Sequence, residues 1–85
     1  MKITVTAEDI ASGRRGEPSL CPIATAIRRA IPGSDPWVNY TFVDFYEPAR
    51  PSARLPFAAQ EFISGFDRGF GGHPFDFDLD LEVTS

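Results

Sequence analysis

The chain has one cysteine and one histidine, Cys21 and His73, which are its candidates for nucleophilic catalysis. Cys21 is expected near the start of a helix, where the helix dipole lowers a thiol pKa, and an imidazole beside it would complete a Cys-His pair. The alternative is a thiol packed as a small apolar side chain and a solvated histidine in a turn. Because nothing in the spacing brings the two together, we expect no enzymatic activity and an unreactive, buried Cys21.

Two arginines before the same helix form a candidate anion site. Arg14 and Arg15, together with the backbone N–H groups of a helix start capped by Ser19, could bind a phosphate or another small anion. The alternative is a flexible, solvated loop.

Acidic side chains alternate along the last segment of the chain, residues 75–83. If the segment is a strand, the acids share one face and lie about 6.8 Å apart. Such a face is typical of a solvated edge strand or of an acidic surface for a basic partner. An extended strand spreads carboxylates too far apart for calcium, so we predict no metal site and no cofactor. The acids in this row are Asp76, Asp78, Asp80 and Glu82.

Hydrophobic periodicity and turn residues predict the elements that carry these groups. We expect strands at 2–6, 37–46 and 75–83, helices at 19–31 and 55–68, one helical turn at 7–12 capped by Thr6, and loops at 13–18, 47–54 and 69–74. The order β-α-β-α-β predicts an α+β fold, a two-layer α/β sandwich with a three-stranded sheet and both helices on one face. A chain of 85 residues allows one domain, residues 1–85.

The segment 37–46 is rich in large apolar side chains on both of its predicted faces. Two helices cover only one side of a sheet, so the other side is predicted to expose aromatic groups and to form an interaction surface or a homodimer contact. The alternative is that the loop 47–54 covers this side. With the four acids above, the predicted surface comprises Trp37, Tyr40, Phe42, Tyr46 and Phe57.

The charge balance and hydropathy of the chain exclude further classes. Eight basic residues face twelve acidic ones, a net charge of −4, which is opposite to that of most nonspecific nucleic-acid-binding proteins. No apolar run is long enough for a transmembrane helix, and the first residues, MKITVTAED, do not resemble a secretory signal. We therefore expect a cytoplasmic protein without direct contact to nucleic acid or membrane.

Several short motifs occur along the chain: Asp9-Ile10 with Gly13, Cys-Pro-Ile-Ala at 21–24, Leu55-Pro56 followed by Phe66-Asp67-Arg68-Gly69, and Pro74-Phe75 with Phe77 and Leu79. Together they resemble a family of small uncharacterised proteins from actinobacteria and their phages. The resemblance covers most of the chain and implies its fold and a genomic setting in a phage or mobile element, but it assigns no functional residue. Relatives have an apolar residue before the position of Pro74, where this chain has Gly71-Gly72-His73.

These observations favour a small non-enzymatic binding protein that acts through a contact surface on a host protein or on a small anionic ligand. In a phage setting, it would be an inhibitor or a sequestering factor in the conflict between host and phage. Two alternatives remain open, a structural or assembly component without a ligand and a cysteine-dependent enzyme that uses Cys21.

Overall fold

A computed structural model of the chain describes residues 1–45, 52–70 and 72–79. Its helices and antiparallel strands confirm the α+β class. The strands are β1 (Lys2–Val5), β2 (Pro36–Val38), β3 (Phe42–Phe45), β4 (Ser52–Arg54) and β5 (Phe75–Asp78), and the helices are α1 (Ala7–Ser12), α2 (Pro22–Ala30) and α3 (Phe57–Asp67).

The described strands form two antiparallel sheets, so the prediction of one three-stranded sheet is wrong. β1 pairs with β5, and β3 lies between β2 and β4. In the first sheet Ile3 lies opposite Phe77, and the backbones of Met1 and Leu79 exchange two hydrogen bonds beyond the strand ends. The predicted alternation of β5 is confirmed through Leu79, while its continuation to residue 83 lies outside the described residues.

Residues 37–45 of the predicted strand 37–46 belong to a hairpin, because the chain turns at residues 39–41, and residue 46 lies outside the described residues. The backbone N–H of Asn39 donates to the carbonyl of Phe42, 2.8 Å away, and closes the turn. Side chains on a straight strand alternate between its faces, so Val38 and Val43 could not both point inward. Because the chain turns between them, Val38 and Val43 lie opposite each other on neighbouring strands, and both are buried on one face of the sheet.

The second sheet also contains a strand that the sequence does not predict. β4 lies within the segment 47–54, which was expected to be a loop, and Ala53 pairs with Val43. The two prolines of this segment, Pro48 and Pro51, come before β4, so the three residues of the strand keep the backbone N–H groups that pairing needs. The part of this segment before residue 52 lies outside the described residues.

Helix α2 is shorter than predicted and begins at Pro22, not at Ser19. Cys21 is the N-cap, and its Sγ accepts a hydrogen bond from the N–H of Ala24 at 3.5 Å. The apolar face of α2 is buried and packs against both β1 and β2, so this helix joins the two sheets. Leu20 lies within the predicted helix 19–31 but precedes α2, and its side chain is exposed.

Helix α3 begins at Phe57, two residues later than predicted. Ala59, Ile63 and Phe66 point into the core, whereas Ala58 is exposed and Phe62 is only half-buried. The helix ends at Asp67, and Gly69 terminates it with a φ of 87° that lets the N–H of Phe70 reach the carbonyl of Gly65 at 3.0 Å.

Helix α1 begins as predicted, with Thr6 as its N-cap. The Thr6 side chain accepts from the N–H of Asp9, and the Asp9 carboxylate accepts in return from the N–H of Thr6. The same buried carboxylate receives two hydrogen bonds from the guanidinium of Arg29, at 2.7 and 2.8 Å. This ion pair connects α1 to α2.

Candidate binding site

A cavity of about 440 Å³ opens where three parts of the chain meet, namely the loop before α2, the β2–β3 turn and the inner face of α3. We call it the hairpin cavity. The loop contributes Gly16, Glu17, Pro18 and Cys21, the hairpin contributes Val38, Asn39, Tyr40, Thr41 and Phe42, and α3 contributes Ile63 and Asp67.

Two hydrogen bonds hold the loop that forms one wall of the hairpin cavity, one to α3 and one to β2. On one side, the N–H of Gly16 donates to Oδ1 of Asp67 at 3.1 Å. On the other side, the carbonyl of Pro18 accepts from the N–H of Val38 at 3.0 Å. These two bonds join residues far apart in sequence, so the cavity exists only in the folded chain.

Cys21 lies in the wall of this cavity but is suited to structure more than to nucleophilic attack. It is only 6% exposed, and its sulfur caps α2. Burial raises the pKa of the thiol, and the negative charge of Asp67 raises it further, while the N–H groups of Ala24 and Ile23 oppose the shift. The thiol therefore stays protonated at neutral pH, although it lies at a helix start.

His73 is on the other side of α3 from Cys21. It lines a second, shallower cavity together with four residues of that helix: Ala58, Glu61, Phe62 and Gly65. An α-helix has about 3.6 residues per turn, so these residues face away from Ile63 and Asp67. The structure therefore does not bring His73 to the thiol, and the two lie in separate cavities.

The rim of the hairpin cavity is aromatic and exposed. Tyr40, in the turn, is 60% exposed, and Phe42, at the start of β3, is 43% exposed. Phe42 also belongs to the outer face of the three-stranded sheet, where Trp37 on β2 is its diagonal cross-strand neighbour. The aromatic surface predicted from the sequence is thus continuous with the cavity.

Other members of the predicted surface lie elsewhere. Phe57 is exposed in the first turn of α3. Asp76 and Asp78 are exposed on β5 in the two-stranded sheet, and Asp76 forms an ion pair with Lys2 at 3.4 Å. Tyr46, Asp80 and Glu82 lie outside the described residues.

The three residues of the predicted anion site are not gathered at the start of α2. Ser19 precedes the helix, and its carbonyl accepts from Nη1 of Arg28 at 2.6 Å. The guanidinium of Arg15 lies beside Gly69, where a Cβ would be only 2.7 Å from Nη1. The side chain of Arg14 is exposed. Anion binding by these residues stays a prediction that the geometry of this helix start does not support.

Glu17 and Asp67 are the site residues that the sequence did not reveal. They are fifty positions apart, so no local motif joins them. The position of Asp67 is the one feature of the sequence that points to such a role. It is an acidic residue in the last turn of a helix, where the negative end of the helix dipole disfavours a carboxylate. Such a position points to a role outside the helix, and here the carboxylate holds the loop at Gly16.

The described residues include neither a metal-binding cluster nor a membrane-spanning helix. They contain no group of three or more histidine, cysteine or acidic side chains arranged to hold a metal ion. Within the same part of the chain, no helix is long and apolar enough to cross a bilayer. Comparisons of the sequence and the structure with family models, curated proteins and solved structures find no match.

Proposed function

We propose that this chain is a non-enzymatic binding protein that contacts a partner protein through the hairpin cavity and its aromatic rim. The observation that carries the proposal is the exposure of Tyr40 and Phe42 beside a cavity of about 440 Å³. Exposed aromatic side chains around a pocket are typical of the energetically dominant part of protein interfaces.

The chemistry of the cavity supports binding over catalysis. Its thiol is buried, has a raised pKa and already caps a helix. The imidazole that would activate it lies in another cavity. A buried, unpaired thiol also suits a reducing compartment, and a cytoplasmic location is part of the proposal.

A second copy of the chain is the other partner that we propose. The outer face of the three-stranded sheet carries Trp37 and Phe42, and also the opposite charges of Asp44 and Arg54 on neighbouring strands. A face with both signs of charge and apolar groups can match itself across a two-fold axis. An inhibitory or sequestering role in a phage or mobile element rests on the family resemblance and on the net charge of −4.

Capture of host proteins by the immobilised chain, compared between variants, tests the proposal. Phe42→Ser removes the aromatic group at the rim, and Phe70→Ser removes an 80% exposed phenylalanine outside the cavity, as a matched control. We expect a host protein that binds the parent and the Phe70 variant but is lost with the Phe42 variant. Thermal unfolding confirms that both variants fold. If all three chains retain the same proteins, the cavity is not the binding site.

A further inference from the structure

Among the described residues, those that line the hairpin cavity carry negative charge and no positive charge. Glu17 comes from the loop and Asp67 from α3, and among the described residues that line the cavity none is basic. The nearby Arg15 turns away, toward Gly69, and lines a separate cavity. The two carboxylates therefore attract a cation from outside the chain.

The remaining lining residues match the other parts of a basic side chain. Val38 and Ile63 provide apolar surface for the methylene groups of lysine or arginine. Tyr40 and Phe42 provide aromatic rings, which attract an ammonium or guanidinium group through their negative faces. Acidic and aromatic groups around an apolar wall are a combination that recognises an organic cation.

The surface around the cavity indicates that the cation belongs to a protein. The cavity volume of about 440 Å³ is within the usual range of small-molecule sites. However, the aromatic surface extends beyond it through Phe42 to Trp37 on the outer sheet face, where a small cation would make no contact. A protein segment would cover both.

We infer that the hairpin cavity receives the lysine or arginine side chain of a partner protein, between the carboxylates of Glu17 and Asp67 and the rings of Tyr40 and Phe42. This inference rests on the proposed function and names the chemistry of its partner. It also agrees with the net charge of −4, which favours association with basic surfaces.

Nuclear magnetic resonance titration of the ¹⁵N-labelled full chain tests the inference. The probes are the blocked tripeptides acetyl-Ala-Arg-Ala-amide and acetyl-Ala-Lys-Ala-amide, with a citrulline tripeptide as the neutral counterpart of arginine. We expect the basic peptides to shift the amide signals of residues 16–17, 38–42 and 67, and the citrulline peptide to bind at least about tenfold more weakly. Added salt should weaken binding of the basic peptides.

Variants show whether the carboxylates of the cavity are responsible. Asp67→Asn keeps an oxygen that can accept from Gly16 and removes the charge, and Glu17→Gln does the same on the loop. We expect each to weaken binding of the basic peptides by about two- to fivefold. Asp76→Asn, on the other sheet, is the matched control and should change nothing.

Three results would overturn the inference. The first is the absence of shifts at the cavity, and the second is equal binding of the arginine and citrulline peptides. The third is tighter binding of propylguanidinium, a small cation with the same single charge, than of the arginine tripeptide, because it would assign the cavity to a small cation. If capture of host proteins is lost with Phe42→Ser but unchanged with Asp67→Asn, the proposed function stands, and the inference that the cavity receives a basic side chain is rejected.

Discussion

The ion pair between Asp9 and Arg29 should be a main support of the fold, and replacing Asp9 by alanine measures it. The carboxylate is 4% exposed as a side chain and accepts hydrogen bonds from the N–H of Thr6 and from both terminal nitrogens of Arg29. The substitution removes the carboxylate that accepts from Thr6 in the capping box of α1 and the link from α1 to α2, whereas the bond from the backbone N–H of residue 9 to the Thr6 side chain remains.

The expected loss can be worked out from these contacts. The hydrogen bond from the Thr6 N–H contributes about 1 kcal/mol, and the hydrogen bonds from the charged Arg29 contribute about 1.5–3 kcal/mol. Arg29 is half-exposed and regains water when its partner is removed, so we expect a loss of about 2–4 kcal/mol in the free energy of unfolding. That is a large share of the roughly 4–13 kcal/mol expected for a chain of 85 residues.

Urea-induced unfolding, followed by circular dichroism at pH 7, gives the measurement. Glu8→Ala is the matched control because Glu8 is an exposed acid in the same helical turn, and it should cost only a few tenths of a kcal/mol. The reasoning is refuted if Asp9→Ala unfolds within about 0.5 kcal/mol of the parent.

The same ion pair predicts how stability depends on pH. The hydrogen bond from Arg29, together with the bonds to Thr6, holds the pKa of Asp9 below its usual value, against the opposing effect of burial. The contribution of Asp9 is therefore complete above its unfolded pKa of about 3.9 and is lost as the pH falls through the lower, folded value. The difference in stability between parent and Asp9→Ala should shrink steadily below about pH 4, and an unchanged difference at pH 2 would contradict this.

Three further outcomes are expected. Cys21 in the native protein should not react with iodoacetamide at pH 7, and rapid labelling would contradict its burial. Replacing Cys21 by alanine should lower the free energy of unfolding by about 1–2 kcal/mol. Gly13→Ala should lower the melting temperature by several degrees, since its Cβ would lie 2.6 Å from the ring of Pro22, and an unchanged melting temperature would mean that the ring can move. Sedimentation equilibrium at micromolar concentration should show a dimer that Trp37→Ser weakens, whereas a 9.4 kDa monomer for the parent would exclude self-association.

The local elements that follow from periodicity and capping could be predicted from the sequence. The alternation of Phe75, Phe77 and Leu79 places β5, and Thr6 marks the start of α1. Each of these signals lies within a few residues, where side-chain spacing and backbone hydrogen bonding are set locally. The exposure of Tyr40 and Phe42 was also expected, because the chain has too few helices to cover all of its aromatic groups.

The sheet arrangement and the site depend on contacts between distant parts of the chain. The segment 37–46 has the composition of one strand, and only the core shows why it turns, since a hairpin buries Val38 and Val43 on the same side. The cavity likewise needs the bond between Gly16 and Asp67, which are fifty-one positions apart. Residue types and spacing determine which groups the chain can offer. Only the folded chain decides which of them meet, because packing of the apolar face, and not local preference, sets the register of the strands and the phase of the helices.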